Sequence, residues 1–187
     1  MAEGAAEAPA RARRAIRLDW LAPVAAAMLL VAVSLHDFLL FHVLAEVSAI
    51  IVAVVAFFVA AHTWRFTRDD FLLVLGSGLF WVAGFDLWHT LAYKGMGVIP
   101  GTMTDANLAT QLWLAARFLQ AVLLVLAPLT LGMRGRLHPA LPWALSGVVA
   151  VLVGALIITG IFPDAYIEGS GLTLFKIASE GAVILTL

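Results

Sequence analysis

Asp86 and His89 are two ionisable residues near the end of a long apolar run, and Tyr93 follows them. Their spacing of i, i+3 and i+7 places the three side chains on one face of a helix. A carboxylate and an imidazole are costly to bury in hydrocarbon unless they have a partner, such as a counter-ion, a metal or a ligand. The pattern therefore indicates a functional cluster whose partners lie on other apolar segments.

Three further apolar segments carry polar side chains at helical spacing. Within each segment the residues are separated by three or four positions, so each set falls on one helical face. The sets are His42 with Glu46, then Trp113, Arg117 and Gln120, and lastly Lys176 with Glu180. We expect these four faces to meet inside a helical bundle.

The sequence offers two imidazoles and two carboxylates as candidate metal ligands. This set of nitrogen and oxygen donors suits Zn, Fe, Mn or Cu(II). The candidate metal ligands are His42, Glu46, Asp86 and His89. Neither pair forms the His-Glu-x-x-His pattern of metalloproteases, so peptidase chemistry is not predicted.

The same side chains allow other interpretations. In one, they form ion pairs and hydrogen bonds that hold the helices together, with Arg117 neutralising a carboxylate. In another, His42 and His89 are the axial ligands of a haem. In a third, a cavity for a quinone-like molecule is lined by Trp81, Trp88 and Trp113.

The composition is that of an integral membrane protein of the helical class. Of the 187 residues, 63% are hydrophobic and 12% are charged, and the mean hydropathy is +1.03. A soluble domain carries roughly 25% charged residues, so this chain has too few to cover a soluble surface. The sequence lacks the alternation of barrel strands. A net charge of −1 gives no sign of a nucleic-acid partner, and the absence of cysteine excludes disulfides.

The predicted fold is all-α, a bundle of about six transmembrane helices. The first five runs each reach about the 20 residues that a helix needs to cross a bilayer. The sixth is expected to be a truncated helix. The runs cover about residues 18–35, 39–64, 71–93, 108–133, 141–162 and 172–187. Residues 1–17 are rich in Ala, Pro and Arg and are predicted to form a disordered basic tail, which leaves 18–187 as the membrane domain.

Arginines lie in alternate loops of this arrangement. They occur in the tail, between runs two and three, and between runs four and five, whereas the opposite loops carry Lys94 and acidic residues. The positive-inside rule therefore predicts a cytoplasmic N-terminus, with loops 94–107 and 163–171 outside. All four polar sets then fall in the outer half of the bilayer, mostly within roughly 5–20 Å of its outer interface at 1.5 Å per residue.

Four stretches resemble the third class of bacterial membrane-associated sensor (MASE) domains. They are His42-x-x-x-Glu46, the segment DLWHTLAYKGM from Asp86 to Met96, NLATQLWLAAR from Asn107 to Arg117, and FKIASE from Phe175 to Glu180. The resemblance runs from about Leu39 to the end of the chain. In that family the domain is the input module of histidine kinases, diguanylate cyclases or phosphodiesterases. The resemblance implies a homodimeric sensor of the bacterial inner membrane rather than an enzyme, with its catalytic output domain C-terminal of this chain.

The predicted function is a sensory input domain. A metal ion, haem or small ligand at the cluster would change the helix arrangement and so signal to a cytoplasmic kinase or cyclic-di-GMP enzyme. Besides the metal ligands, the candidate ligand-binding residues are Trp113, Arg117, Glu180, Lys94 and Tyr93. Glu180 would couple the site to the last helix. The alternative is a membrane oxidoreductase that uses a metal or haem at the same residues.

Overall fold

The computed structural model describes residues 20–100, 102 and 105–186. The predicted disordered tail, residues 1–17, and the predicted start of the first apolar run at Leu18 lie outside the described residues. The described residues divide into two compact units, with the boundary between Ala45 and Glu46.

The described residues form six α-helices. In chain order they are α1 (Leu21–His36), α2 (Phe38–Thr67), α3 (Asp70–Ala92), α4 (Asn107–Leu126), α5 (Ala140–Ile158) and α6 (Leu174–Thr186). Four helices, α2 to α5, are long and apolar enough to cross a membrane, if α4 is taken with the 3-10 turn Ala127–Thr130 that continues it. Helices α1 and α6 are shorter, with 16 and 13 residues. The all-helical membrane class is confirmed, and the number of six spans stays a prediction.

In the first unit, Asp37 separates α1 from the start of α2. Its backbone is extended, with φ −148° and ψ 112°, and its carboxylate oxygen Oδ1 accepts a hydrogen bond of 2.9 Å from the backbone N–H of Leu40. This is an N-cap interaction, which satisfies a backbone donor that has no partner in the first turn of a helix. The chain therefore ends one helix and begins the next without a longer loop.

The hydrophobic core of the second unit lies between α3 and α4, and α5 packs against both. On α4, Leu112, Ala116, Leu119 and Leu123 recur at i, i+4, i+7 and i+11, so their side chains form one buried stripe. On α3, Gly76 allows close packing against α2, because a Cβ at this position would lie 2.5 Å from that of Ala60. Close contact through small residues is the usual way in which membrane helices associate.

Helix α4 ends earlier than the apolar run that predicts it. The run extends to residue 133, whereas the α-helix ends at Leu126 and continues as the 3-10 turn Ala127–Thr130. Pro128 lies at the start of this turn, and a proline lacks the N–H that an α-helix needs at an interior position. The proline therefore shortens the regular helix although the following residues remain apolar.

The predicted polar loop 163–171 contains a short β-hairpin. Strand β1 (Tyr166–Ile167) pairs antiparallel with β2 (Gly171–Leu172). Gly169, in the connecting turn, has φ +83°, a left-handed conformation that favours glycine. Sequence patterns did not predict this hairpin, because two-residue strands are too short to show an alternation of side chains.

Candidate functional site

A buried ion pair joins α3 to α4. Oδ1 of Asp86 lies 2.6 Å from Nη2 of Arg117, and Nη1 of the same guanidinium donates a 2.6 Å hydrogen bond to the side-chain oxygen of Gln120. The Asp86 side chain is only 5% exposed and that of Arg117 is 23% exposed. The structure thus brings together two predicted site residues, with a cation available to compensate the buried carboxylate.

His89 lies one turn after Asp86 on α3 and is buried. Its ring nitrogen Nδ1 is 2.7 Å from the backbone carbonyl oxygen of Ala109 on α4. Because a carbonyl oxygen can only accept a hydrogen bond, Nδ1 carries the proton. In the neutral ring, Nε2 then carries the lone pair that can take a proton or bind a metal. The edge of the ring also packs on Tyr93, with a centroid separation of 5.9 Å.

Glu46, on α2, approaches His89 from the neighbouring helix. A Glu46 carboxylate oxygen and a His89 ring nitrogen lie within 4.8 Å of one another. This pair of donors belongs entirely to the second unit, with one donor on α2 and the other on α3. His42 precedes Glu46 by four residues in α2 and belongs to the first unit, where its ring stacks on Phe38 with the centroids 6.3 Å apart.

Trp113 connects the ion pair to the last helix. Nζ of Lys176, on α6, lies 4.1 Å from the centroid of a Trp113 ring, and the central guanidinium carbon of Arg117 lies 5.7 Å from it. Lys176 is buried, and its Nζ lies 2.6 Å from a carboxylate oxygen of Glu180 one turn later on α6. The predicted residues of α4 and α6 are therefore in contact through cation–π interactions and an ion pair.

Lys94 lies just beyond the end of α3 and is exposed. Its Nζ forms a 3.0 Å ion pair with Glu168, in the turn of the hairpin. The hydrogen bond to Glu168 raises the pKa of Lys94 above its ordinary value, because it stabilises the charged ammonium. Tyr93 caps the C-terminal end of α3, so Tyr93 and Lys94, two of the predicted ligand-binding residues, lie at the same end of this helix.

The three tryptophans that were predicted to line one cavity lie in two separate places. Trp81 and Trp88 line an apolar groove of about 400 Å³ between α3 and α5, together with small residues such as Gly84 and Gly154. Trp113 is not among the residues that line this groove; it contacts the two cations described above. The groove contains almost no polar lining, so the structure separates the apolar groove from the charged cluster.

Asn107 and Gln111, on α4, hold the loop that follows α5, and sequence patterns did not assign them a role. The side-chain oxygen of Asn107 accepts hydrogen bonds from the backbone N–H groups of Ala165 and Tyr166, at 2.9 and 3.0 Å. Its amide nitrogen donates to Asp164 at 2.7 Å, and Gln111 donates to two carbonyls of the same loop. The sequence pattern that could have identified them is a pair of polar side chains four residues apart, on one face of the first turns of α4.

An all-helical chain with several membrane-length helices and charged residues buried between them defines an integral membrane domain. The model of a membrane-associated sensor domain family, MASE3, matches residues 33–187, and the chain belongs to this family. The match confirms the predicted family. No match was found among the curated proteins or among the solved structures.

Proposed function

We propose that this sensor domain detects its stimulus by binding a transition metal ion at Glu46 and His89. The observation that carries the proposal is the approach of a carboxylate oxygen and a buried imidazole nitrogen within 4.8 Å, on two different helices. Two donors at this separation can bind one ion between them after small side-chain movements, because metal–ligand distances for nitrogen and oxygen are about 2.0–2.2 Å.

The surroundings of His89 fit a metal ligand. Metal-binding histidines generally donate their second ring N–H to a carbonyl or carboxylate, which fixes the tautomer and the ring orientation. The Ala109 carbonyl does this at Nδ1, so Nε2 is the nitrogen that would bind the ion. The oxygen and nitrogen donors suit Zn, Fe, Mn or Cu(II). A bound ion would supply positive charge beside Glu46 and join α2 to α3.

His42 and Asp86 complete the predicted ligand set. We propose that His42 adds a second imidazole, because a spacing of four residues from Glu46 suits two ligands from one helical face. Asp86 already binds Arg117 through Oδ1. We propose that it acts chiefly as the counter-ion of Arg117 and supplies a ligand only if this ion pair opens.

The proposed signal passes from α3 through α4 to α6. A shift of α3 on binding would move Asp86, which lies one turn before His89 and holds Arg117. Arg117 and Lys176 contact the same Trp113, so a change in one cation alters the environment of the other. We propose that α6 then carries the change to a cytoplasmic kinase or cyclic-di-GMP enzyme. This output would act as a homodimer at the bacterial inner membrane.

Metal content of the purified protein, measured together with its absorption spectrum, tests the binding proposal. Stoichiometric metal that is lost in His89→Ala supports it. A Soret band in protein that contains no other metal would identify haem, instead of a metal ion, as the bound group. The absence of both metal and haem would overturn the proposal and leave the cluster as a network of ion pairs.

A further inference from the structure

Four exposed arginines lie together at the end of the helices opposite Lys94. Two come from the end of α2 and the residues after it, and two come from the segment between the 3-10 turn and α5. They are Arg65, Arg68, Arg134 and Arg136, which we call the arginine platform. Both chain segments belong to the second unit.

The two segments of the arginine platform are held together by backbone hydrogen bonds. The N–H of Gly135 donates to the carbonyl of Arg68 at 2.8 Å. Asp69 and Arg134 form an isolated antiparallel β-bridge. These main-chain contacts therefore fix the distance between the two segments that carry the arginines. The conformations of the long side chains only adjust the positions of the guanidinium groups.

Asp70 is the buried centre of this junction. Its Oδ1 accepts a 2.9 Å hydrogen bond from the indole N–H of Trp64, and its Oδ2 accepts from the backbone N–H groups of Arg136 and Leu137, at 2.8 and 3.3 Å. The side chain is fully buried. Since the guanidinium of Arg68 lies 4.5 Å from a ring centroid of Trp64, the same network also positions one of the cations.

Among the described residues, the arginine platform keeps an excess of positive charge. Within residues 20–100 and 105–186, none of its four arginines forms an ion pair with a carboxylate. Asp69 and Asp70, the two acids of the same segments, accept hydrogen bonds from N–H groups instead. Four arginines against two aspartates leave a net charge of +2. By contrast, Lys94, at the opposite end of α3, is paired with Glu168.

The arginine platform lies beside strongly exposed apolar side chains. Phe66 is 86% exposed, and Leu129 and Leu131 are 68% and 64% exposed. These residues lie at the ends of membrane-length helices, so lipid chains and headgroups are the natural environment of this face. A partner of this face therefore has to combine an anionic group with hydrocarbon.

We propose that the arginine platform is a preformed binding site for the phosphodiester headgroups of anionic phospholipids. The guanidinium group has a planar set of donors that can bind two phosphate oxygens at once. The junction around Asp70 would place guanidiniums from two segments around one headgroup before the lipid arrives. The apolar neighbours would contact its acyl chains.

Counting retained lipids by native mass spectrometry tests the proposal, after exchange of the chain into detergent with phosphatidylglycerol or phosphatidylcholine. Selective retention of phosphatidylglycerol is expected. Each arginine near an anionic membrane surface contributes about fivefold to binding, so the double substitution Arg134→Gln with Arg136→Gln should reduce retention strongly. Lys94→Gln, a cation removed at the opposite end, should retain lipid like the wild type. Equal retention of both lipids, or equal loss in both variants, would overturn the proposal.

Asp70→Asn separates a preformed site from simple charge attraction. The substitution raises the net charge of the face from +2 to +3, so attraction alone predicts tighter binding of phosphatidylglycerol. A preformed site predicts weaker binding, because an amide cannot accept all three hydrogen bonds. Trp64→Phe removes one of these donors without changing any charge and should also weaken binding, which keeps the test valid if Asp70→Asn does not fold. Tighter or unchanged binding in the folded variants would contradict the proposal. Inorganic phosphate should not displace the lipid, and displacement would identify a free-phosphate site instead.

Discussion

Nζ of Lys176 lies 4.1 Å from a ring centroid of Trp113, which joins the last helix, α6, to α4. The guanidinium of Arg117 contacts the same side chain from α4 and binds Asp86 on α3. Three helices are therefore connected through one aromatic residue and the charges around it. Cation–π contacts contribute about 0.5–1 kcal/mol at exposed sites and about 2 kcal/mol when desolvated.

Replacement of Trp113 by leucine should loosen α6. We expect a loss of about 1–2 kcal/mol of unfolding free energy from the cation–π contacts, measured by denaturant unfolding in detergent. Trp113→Phe keeps an aromatic face and is the matched control, so it should lose less. Equal losses in the two variants would show that side-chain volume matters and that the contact with Lys176 does not.

The Asp86–Arg117 ion pair should show strong coupling in a double-mutant cycle. Removing one member of a buried pair costs about 3–5 kcal/mol, and the cost here should be lower because the Arg117 side chain is 23% exposed. The double variant Asp86→Asn with Arg117→Gln leaves no unpaired charge. It should therefore be more stable than the sum of the single effects predicts, with a coupling energy of about 0.5–3 kcal/mol. Additive unfolding free energies would contradict a direct interaction.

The sequence predicted the helical elements better than the contacts between them. Helical spacing within each apolar run placed Asp86, Arg117 and Trp113 on interior faces, because a charged side chain that faced the lipid would be costly. Spacing within a run says nothing about which face of the next helix it meets. The pairing of Asp86 with Arg117 was thus one of several possibilities, and the structure selects it.

Other features depend on contacts between residues distant in the sequence. Asp70 precedes an apolar run and resembles an ordinary helix-start residue, yet its carboxylate binds backbone N–H groups of residues 136 and 137. Asn107 and Gln111 similarly bind the loop after α5. No local pattern encodes such contacts, because they depend on how the loops meet once the helices have packed.

Asn107→Ala should release the hairpin from the start of α4. The substitution removes three hydrogen bonds and leaves the N–H groups of Ala165 and Tyr166 without this acceptor. The expected cost is about 1–3 kcal/mol of local stability, measured as faster amide hydrogen exchange in residues 163–173. Asn107→Asp keeps an acceptor and should be intermediate. Unchanged exchange in Asn107→Ala would show that the hairpin is held by other contacts.

Single cysteines test the predicted orientation directly, because the natural chain contains none. Ser170 lies in the hairpin, and His138 lies between the 3-10 turn and α5; both are exposed. In intact cells, a membrane-impermeant maleimide should label Ser170→Cys. His138→Cys should be labelled only after permeabilisation, since positive charge favours the cytoplasmic side. The reverse pattern would overturn the orientation, and labelling of both in intact cells would overturn the opposite placement of the two loops.

Elemental analysis of the purified protein tests most directly whether Glu46 and His89 bind a metal ion, as we propose. Wild-type protein loaded with zinc and dialysed should retain stoichiometric metal, and Glu46→Gln and His89→Ala should lose it. His62→Ala, which removes an exposed histidine of α2, should retain metal like the wild type. Absence of stoichiometric metal from the wild type, or equal metal content in all four proteins, would contradict the account.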